Sequence, residues 1–116
     1  NIDGFMHIAL YNDKNNFPKQ EGKFLGLKKK TELILNEGAK IENLANGKYS
    51  VAIFHDENGN NKFDSILGIP LENFGFSNNP TIYLSPPSFE ETSFFLNEKE
   101  KKKIEIFLKW KKKEFL

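Results

Sequence analysis

The chain contains no cysteine and no arginine. Without cysteine there is no disulfide framework, no thiolate zinc site and no cysteine nucleophile. Without arginine, all 17 basic residues are lysine, and no planar guanidinium is present to grip a phosphate or a guanine edge in two places at once. No sign of charge dominates either. Seventeen basic residues against 16 acidic ones leave a net charge of +1, too little for a whole-molecule field that steers toward nucleic acid or an anionic membrane. No apolar run approaches the roughly 20 residues of a membrane helix, and nothing at the amino terminus reads as a signal peptide. Neither nucleic-acid binding nor a membrane span is therefore expected.

What is present fits one small core. At 116 residues the chain is read as a single domain, 1–116, large enough for one core and too small for two. Twelve phenylalanines supply its apolar mass. Residues 5–11 alternate, with Met6, Ile8 and Leu10 on one face, as a strand requires. Tyr49 to Phe54 alternates with apolar residues in both sets, the mark of a central strand covered on two sides. Short strands are further expected at 31–36, 39–44, 81–84, 88–96 and 103–110, separated by Gly, Asn and Pro turns, with 17–30 as loop. About seven such strands and no amphipathic helix predict an all-β chain, an antiparallel β-sandwich with a long irregular loop from Leu67 to Pro87. Loops of that length in small domains are usually functional or strongly tied down. The opening Asn1-Ile2-Asp3-Gly4 reads as a turn between strands, which leads us to expect a signal peptide and a first strand upstream.

The densest chemistry lies at the end of the central strand. In His55-Asp56-Glu57-Asn58-Gly59-Asn60-Asn61-Lys62-Phe63-Asp64, oxygen-bearing side chains fall at every second position. Asp56, Asn58 and Asn60 occupy positions 1, 3 and 5 of a calcium loop, the Lys62 carbonyl position 7 and Asp64 position 9. Position 6, usually a left-handed glycine, is Asn61, the best non-glycine substitute there. Position 12 is Leu67 and offers no carboxylate, so the loop needs another oxygen. Glu72 is the candidate, returned by the Gly68-Ile69-Pro70 turn. With Asp56 and Asp64 as its carboxylates, the site should hold calcium as a structural ion, with a dissociation constant of about 10⁻⁴ to 10⁻³ M. Magnesium, which demands a stricter octahedron, fits less well. The competing reading is an Asx-rich turn held by side-chain-to-backbone hydrogen bonds without metal.

Other residues point less sharply. His55 adjoins Asp56, but neighbours on a strand face opposite ways, and His7 has no partner readable from the sequence. Gly75-Phe76-Ser77-Asn78-Asn79 lacks the second glycine of a nucleophile elbow. Phe74, Phe76, Asn78, Tyr83 and Phe89 form a possible ligand surface for a sugar or peptide, or else the rings that pin a long loop to the sheet.

The stretch Tyr49-x-Val51-Ala52-Ile53-Phe54-His55-Asp56-Glu57-Asn58-Gly59-Asn60 continues through Lys62-Phe63-Asp64, Leu67-Gly68-Ile69-Pro70, Glu72 and Phe74-Gly75-Phe76-Ser77-Asn78-Asn79 to Pro86-Pro87-Ser88-Phe89-Glu90 and Phe94. It resembles the bacterial family known as domain of unknown function 2141. The resemblance implies an exported protein, periplasmic or secreted, of Ig-like or transthyretin-like sandwich form, and it implies no known activity. Asn61 and Asn73 stand where the family pattern has glycine, and the segment between Asn79 and Pro86 diverges. The expected function is a non-catalytic binding or interaction module with an unknown protein, peptide or glycan partner in the envelope. The alternatives are a metal-dependent or His-assisted hydrolase with its site near residues 55–72, or a purely structural part of an envelope assembly.

Overall fold

A computed structural model describes residues 3–62, 65–66, 69–70, 72–82 and 85–108. Its frame is an open, antiparallel, five-stranded sheet. The first strand, β1, is Phe5–Tyr11, and β2 is Leu25–Lys30. A helix, α1, covers Thr31–Glu37, and the long central strand β3 spans Gly47–Asp56. Two short strands, β4 at Ser65–Ile66 and β5 at Ile69–Pro70, pair with each other in a separate two-stranded sheet. The chain then adds β6 at Phe74–Phe76, a single helical turn α2 at Phe89–Thr92, and β7 at Phe94–Leu96.

β1 lies between β2 and β3, with Phe5 opposite Lys30 on one side and opposite Asp56 on the other. The far edge of β3 is shared. β6 pairs with its second half, Phe54 opposite Phe74, and β7 with its start, Tyr49 opposite Phe94. Between them the chain leaves the edge at Ser77 and returns at Thr92. The splice is closed by hydroxyls with no solvent exposure. Ser77 Oγ accepts from the Val51 amide at 2.9 Å and donates to the Thr92 carbonyl, while Ser50 and Thr92 hydroxyls meet at 2.8 Å. Each of these three buried hydroxyls thereby finds a partner, as low-dielectric surroundings require.

Alternation along β1 and β3 produces two packed faces. Ile8, Leu10, Tyr49 and Val51 form one cluster, covered by Ile34 of α1, Leu44 and Ile106. On the other face Tyr11, Phe17 and Phe89 pack together with Phe76 beside them, Phe17 meeting all three rings edge-on. The coverage is made by a helix and irregular segments. One contact is notably close: a Cβ at Gly75 would stand 2.6 Å from Ile106 Cγ2, so glycine is what lets residues 106–107 approach β6.

Several expectations from the sequence are corrected. Residues 25–30 are a strand and not loop. Lys28 and Lys30 are exposed at the sheet edge, where lysine discourages pairing with other chains. Residues 31–36 are helical, because a single apolar residue, Ile34, reaches the core while Leu33 and Leu35 stay exposed. Residues 39–44 carry no regular structure. The expected strand at 88–96 begins as α2 behind a capping box in which Ser88 Oγ accepts from the Glu91 amide and the Glu91 carboxylate accepts from the Ser88 amide. Residues 103–108 are in no strand ladder, yet Asn79 serves as their partner. Its side chain accepts from the Phe107 amide at 2.8 Å and donates to the Glu105 carbonyl at 2.9 Å, the pair of bonds a neighbouring strand would make. In the expected strand at 81–84, residues 81 and 82 have no regular structure and Tyr83 and Leu84 lie outside the described residues, as does Trp110.

Candidate metal site

β3 delivers Asp56 to the sheet's end, directly opposite Phe5. A side chain on Gly4, at φ +76°, would overlap the Asp56 carbonyl, so the turn into β1 packs tightly beneath the loop. Asp56 is 0% exposed. Its Oδ1 accepts from the Asn60 amide at 3.2 Å, and its Oδ2 from the Asn61 amide at 2.8 Å and from His7 Nε2 at 2.9 Å. Burial alone would raise the Asp56 carboxyl. The hydrogen bond from His7, the Asn61 amide, the charge of His7 and the Asn60 amide outweigh it and hold the group below the ordinary carboxylate value.

The same curl continues outward. Asn58 Oδ1 also accepts from the Asn60 amide, at 3.2 Å, and Asn60 Oδ1 accepts from the Lys62 amide at 2.9 Å. Positions 1, 3 and 5 thus each turn an oxygen toward the loop's own backbone. Gly59 at φ +70° and Asn61 at φ +65° make the left-handed steps this needs. Asn61 stands where the sequence placed the left-handed residue. Its Oδ1 accepts from Lys28 Nζ at 2.7 Å, and the same ammonium sits 4.4 Å from the centre of the Phe5 ring, which ties the loop to β2.

Glu72 does come back to this end. It is 5% exposed, and its Oε2 accepts from the Glu57 amide at 3.3 Å. The structure therefore brings together Asp56, Asn58, Asn60, the Lys62 backbone and, at the loop's base, Glu72. Asp64 lies outside the described residues. Among the described residues no three His, Cys, Asp or Glu side chains converge on one point. The side-chain oxygens gathered at this end are carboxylate and carboxamide, each accepting a backbone amide.

His7 is the residue the sequence did not connect to this site. It faces Phe54 across β1 and β3 and stacks on that ring at 4.7 Å, which leaves its Nε2 diagonal to Asp56. Only the register of β1 on β3 reveals the pair. His55 points to the opposite face, is 2% exposed, and bonds the Asp3 carbonyl through Nε2, so it does not meet Asp56.

Of the possible ligand surface, Phe74 and Phe89 are buried and Phe76 packs with them in the aromatic layer. Asn78 donates to the Ser93 and Glu91 carbonyls and clamps the end of α2. These residues occupy the positions of rings and amides that pin an excursion to a sheet. Tyr83 lies outside the described residues.

Among the described residues no helix is long and apolar enough to cross a membrane. A family model described as "uncharacterized protein conserved in bacteria (DUF2141)" matches residues 1–105. No curated protein and no solved structure matches the chain.

Proposed function

We propose, for a chain that belongs to this family of uncharacterised bacterial proteins, an exported, non-catalytic binding module whose Asp56–Asp64 loop holds a structural calcium ion. In this reading the sheet is one layer of an Ig-like or transthyretin-like sandwich, with Ile34, Leu44 and Ile106 lying where a second layer packs. The protein works in the periplasm or outside the cell, and the ion fixes the end of β3 against the segment that leads into β6, in a module that contacts an envelope protein, peptide or glycan.

The observation that carries the proposal is the coil of the loop. Asp56, Asn58 and Asn60 already turn inward around a left-handed Asn61, the coil in which positions 1, 3 and 5 of a calcium loop converge. Asp56, Asn58, Asn60, the Lys62 carbonyl, Asp64 and Glu72 would hold the ion. Calcium there would supply positive charge to a buried carboxylate and join the end of β3 to the segment after β5. The chain's own part is orientation: His7 and the Asn60 and Asn61 amides keep the Asp56 carboxylate ionised and aimed. A hydrolase at 55–72 would need His55, Asp56 and Glu72 in one cleft, whereas His55 and Asp56 lie on opposite faces of β3.

Thermal unfolding of the full chain in calcium, magnesium and chelator tests the proposal. At about ten times the dissociation constant, calcium should add about 1.4 kcal/mol, a rise in Tm of about 6 °C. Equal melting in calcium and in chelator would remove the metal from the account.

A further inference from the structure

At the end of the sheet away from the metal loop lies an open groove of about 530 Å³, within the size range of small-molecule sites. Its floor is made where strands start and stop: Asn12 leaves β1, Phe24 leads into β2 and Tyr49 lies near the start of β3. Its wall is the irregular segment that carries Glu42, Asn43 and Asn46. The Tyr49 hydroxyl donates to the Ala45 carbonyl at 2.6 Å, so the wall is fastened to the sheet before any ligand arrives.

Three features of this groove are chemically specific. Phe24 is 54% exposed, its ring tilted at 48° to Tyr49 with centroids 6.4 Å apart, and so offers an open aromatic face. Asn12, Asn43 and Asn46 line the same groove, and none of their side chains has a hydrogen-bond partner among the described residues. That contrasts with Asn60, Asn61, Asn78 and Asn79, whose carboxamides are all engaged. Finally, the charges at the groove are matched within the chain. Lys48 pairs with Glu90 at 3.1 Å and Glu42 lies 3.6 Å from Lys40.

We propose that this groove binds an uncharged oligosaccharide. A carboxamide offers donors and an acceptor together, which is what a sugar hydroxyl, itself both donor and acceptor, can satisfy on both counts. The face of an aromatic ring is negative and attracts polarised C–H groups, the kind a pyranose presents on its flat side. Paired charges leave nothing for an anionic ligand to neutralise. A peptide would instead need a free strand edge or a series of apolar pockets; the edge strand here, β2, carries exposed Lys28 and Lys30, which discourage an added strand, and of the two rings at the groove Phe24 alone is exposed. The proposal extends the binding-module part of the reading above. It is separate from the calcium loop, since the ten residues of β3 put about 30 Å between the two ends.

The test is a set of ¹H–¹⁵N NMR titrations of the full chain with cellotriose, maltotriose, mannotriose and triacetylchitotriose, with trialanine as the peptide comparison. At least one sugar should give saturable shifts of the Asn12, Asn43 and Asn46 side-chain NH₂ signals, unchanged by chelator or by Asp56→Asn. Phe24→Ala, at an exposed ring, should weaken that binding about tenfold, and Asn46→Ala about fivefold, with Tm unchanged in both. No saturable shift with any of the sugars, shifts that map away from the groove, or shifts with trialanine alone would each overturn the proposal. Thermal unfolding in calcium is read separately, so failure of either site leaves the other standing.

Discussion

Replacing Asp56 by alanine removes the acceptor for three donors at once: the Asn60 amide, the Asn61 amide and His7 Nε2. The carboxylate is fully buried, and stripping one partner from a buried ionic hydrogen-bond set costs about 3 kcal/mol or more. Asp56→Asn keeps an oxygen for the Asn61 amide and loses the charge, so it should cost about 1.5 kcal/mol. The assay is urea unfolding in chelator, which keeps metal out of the comparison. Acidification supplies a second, independent check. The folded chain holds the Asp56 carboxyl below its ordinary value of 3.8, so its stabilisation is present above that pH and is lost as pH falls through the lower, folded value. The gap between wild type and Asp56→Asn should therefore close on acidification below 3.8. A loss under about 1 kcal/mol for Asp56→Ala, or a gap that is constant with pH, would refute the role assigned to this carboxylate.

Two further substitutions probe the frame that carries the loop. Ser77→Ala unpairs the Val51 amide and the Thr92 carbonyl at the splice between β6 and β7 and should cost about 2 kcal/mol in urea unfolding; a change under about 0.5 kcal/mol would mean the splice is held elsewhere. Burial, with a contribution from Glu21, pushes the Tyr11 phenol up to about 12. The folded chain thus keeps that proton longer than the unfolded one, and the associated stability is complete below pH 10 and lost as pH rises toward 12, about 2–3 kcal/mol in all. Tyr11→Phe should lack that share of the alkaline loss and cost about 1 kcal/mol at neutral pH, from the bonds to the Pro18 and Lys19 carbonyls; an unchanged alkaline slope would contradict the assignment.

The parts of the fold that could be read from sequence were those where one local signal dominates. Strict alternation fixed β1 at residues 5–11 and the body of β3. α1 was hidden because it has no side-chain cap at Lys30 and because Leu33, Ile34 and Leu35 read as a strand core, although two of the three face solvent. α2 had a legible start signal, since Ser88-Phe89-Glu90-Glu91 is a capping-box pattern, but four residues within a run of phenylalanines are outweighed by β propensity. At the loop, spacing alone indicated Asp56, Asn58, Asn60 and the left-handed Asn61. His7 and Lys28 come to it only through pairing of β1 with β3 and β2, long-range information that no local window contains. The Asn79 clamp on residues 105–107 is invisible for the same reason.

A ¹H–¹⁵N NMR titration of the full chain with calcium decides whether the Asp56 loop binds the ion. A bound ion should give saturable shifts of the Asn58, Asn60, Asn61 and Lys62 amides with a dissociation constant of about 10⁻⁴ to 10⁻³ M, abolished by Asp56→Asn and much weaker with magnesium. Amides of residues 56–62 that stay unmoved at calcium concentrations about tenfold above that range would contradict it and leave the loop as an Asx-rich turn held by its own hydrogen bonds.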